Sequence, residues 1–161
     1  MAGDAFLKID GIPGESTDDK HKDWIEVLTY SFGVAQSATV GSTAGARSAE
    51  RANFSDFSFV KSLDKSSPKL FLFCANGTHI KEMTLQLHRA TGDKQKYLEV
   101  KLSDNLISSI SPSWSPGGLP MESVAVNFGK IEYIYTQTDA KTGKPSGDVK
   151  AHWDTNTNKG G

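Results

Sequence analysis

One cysteine in 161 residues, Cys74, excludes an intramolecular disulfide framework and every zinc site built from several thiolates. Neither charge sign dominates: 18 Lys+Arg stand against 19 Asp+Glu, a formal net of −1, with the two signs interspersed. That argues against nucleic acid as the main ligand. A binder of duplex or single strand needs a basic stripe to displace counterions, and here Lys20 and Lys22 are flanked by Asp18, Asp19 and Asp23. No apolar run approaches the roughly 20 residues of a membrane-spanning helix. The longest, residues 70–75, falls far short, so no membrane insertion is expected. The opening MAGDAF lacks the basic and apolar regions of a cleaved secretion signal. The expectation is assembly in the cytoplasm, with any export following a route that reads no N-terminal signal. A near-neutral chain also has little self-repulsion, which permits many copies to pack side by side.

Frames for chemistry are missing as well. The four histidines, His21, His79, His88 and His152, lie in different segments with no H-x-x-x-H pair, so no metal centre is expected. There is no G-x-S-x-G elbow, since the nearest string, Gly41 to Gly45, has Thr43 at its centre and precedes no helix. Neither G-x-G-x-x-G nor G-x-x-x-x-G-K-[ST] occurs to cradle a phosphate. The residues 139–148 lack the acidic ladder of a calcium loop, and Cys74 sits among Leu and Phe, where a thiol packs as a small hydrophobe. No enzyme and no cofactor are expected.

What is present is period-two alternation closed by Gly, Pro, Asp or Asn, the pattern of an antiparallel all-β domain. A chain of this length hides roughly 68–70% of its unfolded surface, enough for one domain over 1–161 with a real core. Strands are expected near residues 6–9 and 25–34, the latter with Leu28, Tyr30, Phe32 and Val34 on one face and Val27, Thr29, Ser31 and Gly33 on the other. Residues 54–60 continue the series with Phe57 and Phe59 on one face. Residues 83–87 and 98–102 read as a hairpin turning at 90–96, and 105–111 as a short strand ended by the three prolines of residues 111–120. The longest strand, 122–137, changes phase midway. Val124, Val126 and Phe128 share one parity and Ile131, Tyr133 and Tyr135 the other, which a bulge near Gly129 would reconcile. A last strand at 149–153 precedes a tail, 154–161, expected to fray unless a neighbour holds it. Trp24, Trp114 and Trp153 lie near strand ends, where they suit rim packing or contact between subunits.

One helix interrupts the strands. Ser67 can cap it, Pro68 suits its first turn and Gly77 supplies a left-handed stop, while Leu70, Phe73 and Cys74, widened by Phe71 and Leu72, leave it covered on both sides. Residues 37–52 (SATVGSTAGARSAERA) can build no core, and a loop of that length is either disordered alone or ordered by a partner. Eight or nine strands and one helix favour a small closed barrel or a two-sheet sandwich.

The order of several blocks is specific: FLKIDGIPGES (6–16), KHKDWIEVLTYSFG (20–33), the small-residue loop, DFSFVKSLDKSSPKL (56–70) and VAVNFGKIEYIYT (124–136). Together they closely resemble the Hcp family, the tube proteins of bacterial type VI secretion. The resemblance implies a small β-barrel of two mainly antiparallel sheets with one short helix. It implies a homohexameric ring stacked into a tube, wrapped by contractile sheath proteins, tipped by a spike protein and secreted, sometimes with small effector proteins in the lumen. Ser31, in TYSFG, matches the strand position that faces the pore, and Thr29 shares its parity. The 37–52 loop matches the family's extended loop, implying ring-to-ring contact through Gly41, Gly45, Arg47, Glu50 and Arg51. Where many relatives carry a glycine run, this chain has Ala44, Ala46, Ala49 and the three charges, which would tune stacking electrostatically. The alternative from another class is a monomeric β-barrel binding a small ligand in its interior.

Overall fold

The structure, a computed structural model, describes residues 3–40, 47–49, 51–90 and 94–161, with backbone alone at 38–40 and 47–49. In chain order it comprises β1 (Gly3–Ile9), β2 (Ile25–Val27), β3 (Thr29–Ser31), β4 (Val34–Ala35), β5 (Ala38–Val40), β6 (Arg47–Ala49), β7 (Asn53–Phe54), β8 (Phe57–Ser62), α1 (Ser67–Asn76), β9 (Ile80–Arg89), β10 (Lys96–Ser113), β11 (Met121–Thr138), β12 (Pro145–Asp154) and β13 (Lys159–Gly160). Every ladder is antiparallel.

Two layers share the long strands β10 and β11. Residues 96–105 of β10 pair with β9, which pairs with β1 and then β2, while residues 130–138 of β11 pair with β12. Earlier in β11, residues 121–126 instead pair with β8, and β8 pairs with β3. The handover falls where Asp104 adopts φ 56° and where Gly129 lies so close that a Cβ would stand 2.9 Å from the Asp104 carboxylate. The phase change near Gly129 is there, with Val124, Val126 and Phe128 buried and then Ile131, but the bulge expected to produce it is not: Ser103 faces Lys130 and Asn105 faces Phe128 in one register, and the shift in this ladder lies between Ile107 and Ser109. A second change follows at once. Ile134 and Thr136 are buried while Tyr133 and Tyr135 are about 45% exposed, so the two tyrosines expected in the core lie at its rim.

The barrel is not closed by a continuous ladder. β2 pairs with β1 and β3 with β8, and the two are joined only through Leu28, whose N–H donates to the Val60 carbonyl at 2.8 Å. This break also resets the strand's phase. Ile25 and Val27 point inward before it and Tyr30 and Phe32 pack on the core after it, whereas Leu28 and Val34, expected inside, are exposed. Other expectations yield to local pairing. The short strand at 105–111 is the second half of β10, and Pro112 is tolerated because β9 stops opposite Asn105, leaving an edge where a missing N–H costs nothing. In and beside the 37–52 segment the described residues pair as strands, β4 with β7 and β5 with β6. The tail expected to fray pairs back on β12 as β13, its turn held by Asp154, whose carboxylate accepts from the N–H groups of Asn156 (2.8 Å) and Thr157 (3.0 Å).

The helix stops where glycine permits it, at Gly77 with φ 68°. Its N-cap is Ser66 and not Ser67, and Phe71 and Leu72 are exposed, so the helix covers the core with one side, through Leu70. Ser67 has another task. Lys61 and Glu122 face each other across β8 and β11 on the inward side, and Lys61 is fully buried. The Lys61 ammonium donates to Glu122 (2.6 Å) and to the Ser67 hydroxyl (3.0 Å), and pairs with Asp64 at 3.0 Å. The Ser67 hydroxyl in turn donates to Glu122. Three donors meet three acceptors, which is the condition under which a buried charge is tolerable.

Removing one partner should therefore be costly. Lys61→Met is expected to lower unfolding stability by about 3–5 kcal/mol in chemical denaturation, and Lys61→Met with Glu122→Leu to recover much of that loss. A double variant no better than the single would show that packing, and not the ion pair, is at stake.

Candidate functional site

Alternation on the second layer builds a surface of unusual composition. Along β8, Phe57, Phe59 and Lys61 are inward, which turns Ser58, Val60 and Ser62 outward; along β11, Val124 and Val126 are inward, which turns Ser123 and Ala125 outward. The register then lines up two rows across four strands. Ser31 stands opposite Ser58, Ser58 opposite Ala125 and Ala125 opposite Ser109; in the next row Thr29, Val60, Ser123 and Ser111 follow one another. No side chain in these rows is larger than valine. Such a face holds water through its hydroxyls and offers no large apolar group for a second protein to grip.

A bulge in β10 between Ile107 and Ser109 leaves Ser108 as the extra residue at one end of this face. Its hydroxyl donates to Asp56 at 2.6 Å, and the Asn127 amide donates to the same carboxylate at 3.2 Å. Behind the face, burial pushes the Tyr30 phenol above its ordinary value, with Tyr133 and Tyr97 adding to the shift. The expected pair, Thr29 and Ser31, thus lies on one exposed face as parity implied. The rest of that face, Ser58, Ser109, Ser111 and Ser123, was missed, although it is the complement of the apolar alternation.

The proposed stacking residues do not form a described cluster. Gly41, Gly45 and Glu50 lie outside the described residues. Arg47 opens β6 opposite Val40, and Arg51 donates a guanidinium N–H to the Thr155 carbonyl at 2.9 Å, a tie to the turn before β13. Among the described residues no three His, Cys, Asp or Glu side chains converge as metal ligands. Two histidines far apart in sequence do meet: the rings of His21 and His88 are 4.3 Å apart, a contact that no local spacing announces.

A two-layer wrap with one helix and a hydroxylated face can now be compared with known proteins. The profile of the family described as "Type VI secretion system effector, Hcp" matches residues 6–135. The chain belongs to the Hcp family. It is 36% identical over 160 residues to protein hcp1 of Pseudomonas aeruginosa, covering 98% of each. A solved structure described as a type six secretion system protein superposes with a TM-score of 0.93 at 31% identity, covering 99% of this chain and all of the other. Hcp1 from Salmonella typhimurium superposes with a TM-score of 0.83 at 34% identity, covering 99% of each. This Hcp protein is therefore a structural component of type VI secretion, from a family that is not one of enzymes.

Adjacent residues of β8 test which way its faces point. Ser58→Ala is expected to change stability by no more than about 0.5 kcal/mol, and Phe59→Ala to lower it by about 3–5 kcal/mol, read from denaturant midpoints. Comparable losses would contradict the assigned alternation.

Proposed function

We propose that this Hcp protein is the subunit of a homohexameric ring whose lumen is lined by the face carrying Thr29 and Ser31, and that the rings stack into the inner tube of a type VI secretion system. The observation that carries this reading is the small, hydroxylated face itself. A wall through which other proteins must pass should bind water and release them. The layer's opposite face is filled by Phe57, Phe59 and their neighbours, a packed core that favours the ring reading over the monomeric alternative.

Surfaces suited to neighbouring subunits are present. β12 pairs with β11 along its length, but on its other edge β13 and Gly161 cover it from His152 to Asp154. The other edge of residues 145–151 carries no ladder among the described residues, and Val149 is 57% exposed. Beside it lies a groove of about 640 Å³ lined by Phe32, Val34, Phe54, Tyr133 and Trp153. An unpaired edge next to an apolar groove is what subunit pairing covers. The segment of residues 37–52, with Gly41, Gly45, Arg47, Glu50 and Arg51, supplies the contact between rings. The tube's partners are contractile sheath proteins, a spike protein and small effector proteins carried in the lumen. The protein assembles in the cytoplasm before it is secreted.

Two measurements test this. Light scattering coupled to size exclusion should give six times 17.4 kDa, about 104 kDa, and a concentration-independent mass of one subunit would overturn it. Ring stacking, followed by sedimentation, should weaken as salt rises and with Arg47→Ala and Arg51→Ala together. Stacking that ignores both would remove the charges from the contact.

A further inference from the structure

The four strands whose outward side chains make the hydroxylated face end together at one side, and each ends beside an apolar residue. Ser113 of β10 stands opposite Met121 of β11, and Met121 stands opposite Ser62 of β8. Trp114, Leu119 and Leu63 lie one or two residues beyond that line, and Leu28 precedes β3 at the same end. Two bonds keep them level. The Leu63 N–H donates to the Pro120 carbonyl at 3.0 Å, and the Leu28 N–H to the Val60 carbonyl at 2.8 Å. All four side chains are more than half exposed, Leu119 by 75%.

The turn that carries two of them is tight. Gly117 adopts φ 87° and the Gly118 N–H donates to the Ser115 carbonyl at 3.1 Å, so Trp114 and Leu119 stand on the two arms of a closed turn. Residues 111–120 contain no charged side chain. A single exposed leucine is ordinary, but one large apolar residue at the same end of each of four adjacent strands makes a continuous apolar edge.

The opposite end of these strands is different. There Asp56 precedes β8, Ser108 bulges from β10 and β11 continues into Asn127, with the Asp56 carboxylate accepting from Ser108 (2.6 Å) and Asn127 (3.2 Å). β3 runs away from Leu28 and β8 runs toward Leu63. The chain between them, which includes residues 37–52, therefore leaves from and returns to the hydrogen-bonded end. Two unlike ends pair heterologously, one end of a copy against the other end of the next, and such contacts propagate without closing.

We propose that Leu28, Leu63, Trp114 and Leu119 form an apolar rim around one mouth of the ring, and that its occupant is a second ring of this chain, seated through the end from which residues 37–52 leave. The inference rests on the ring reading and deepens it by naming the surface that receives the next ring. Three features select that occupant. Six copies turn the edge into an annulus, which a ring of the same symmetry meets at every subunit. Residues 37–52 are mostly Ala, Gly, Ser and Thr, whose short side chains let a backbone approach an apolar surface closely. Charges of both signs flank the rim for the charges of that segment: Lys65, two residues past Leu63, and Asp23, 3.8 Å from it, are about half exposed.

Trp114→Ser with Leu119→Ser tests the rim, since neither side chain belongs to the core cluster. Light scattering should still give a ring of about 104 kDa, six times 17.4 kDa, while sedimentation should show single rings where the unaltered protein stacks. A weakening of about threefold at each contact compounds over six equivalent contacts to roughly 700-fold in the stacking constant. Stacking as strong as in the unaltered protein would overturn the rim and leave the ring standing. A single-subunit mass for the unaltered protein would overturn the ring, and the rim with it. Unaltered rings that stop at pairs, or stay single at every concentration, also overturn the proposal, because unlike ends stack without limit. Should the double variant lose its ring, Leu119→Cys in a Cys74→Ala background decides: its thiol should react with a soluble maleimide at least about tenfold more slowly in stacked rings than in rings kept single by dilution, and equal rates overturn the proposal.

Discussion

The two 18-residue strands β10 and β11 belong to both layers, and nearly everything else depends on how their alternation is handed from one to the other. Their first shared segment fixes β9, β1 and β2 on one side and β12 on the other, and their second fixes β8 and β3. A strand has two faces, so burying Val124 and Val126 obliges Ser123 and Ala125 to face outward. The hydroxylated surface is thus the geometric complement of the core. Gly129 and Asp104 meet at the handover because a side chain at 129 would strike the Asp104 carboxylate.

Two polar clusters inside this frame tie on what the ladders do not. Lys61, Glu122 and Ser67 join α1 to the β8–β11 pair, while Asp18, His21, Gln86 and His88 join the 10–24 loop to the first layer. The two clusters differ in kind. The first has fixed charges that match one another, so it is structural. The second joins two imidazole rings through one shared amide, so it holds by hydrogen bonds and ring contacts and not by matched fixed charges alone.

Much of this was legible as alternation. The β8 and β11 apolar parities, the β9–β10 hairpin, the phase change at Gly129 and the placing of Thr29 with Ser31 all follow from period two, because a strand's faces need no knowledge of its partners. What failed needed those partners. Leu28 breaks a strand that reads as continuous since β2 and β3 belong to different ladders. Tyr133 and Tyr135 have the parity of core residues but extend beyond the strands that could cover them. Pro112 is allowed by an edge that is visible only once β9 is seen to end, and Lys61 lies just past the strand expected at 54–60, its burial made possible by Glu122 opposite it. The meeting of His21 with His88 spans 67 positions and leaves no trace in local spacing. Membership of the Hcp family was legible because several blocks kept their order, which no single strand conveys.

The central claim is that the serine-lined face, and not its opposite, surrounds a pore. Spin labels on single cysteines in a Cys74→Ala background, at Ser109 on that face and at Lys101 on the outward face of the other layer, give distances between subunits by pulsed electron resonance. A sixfold ring requires three distances in the proportions of a hexagon's side, short diagonal and long diagonal, and the account predicts a smaller hexagon for Ser109 than for Lys101. A larger hexagon at Ser109, or no intersubunit distance at either site, would contradict it.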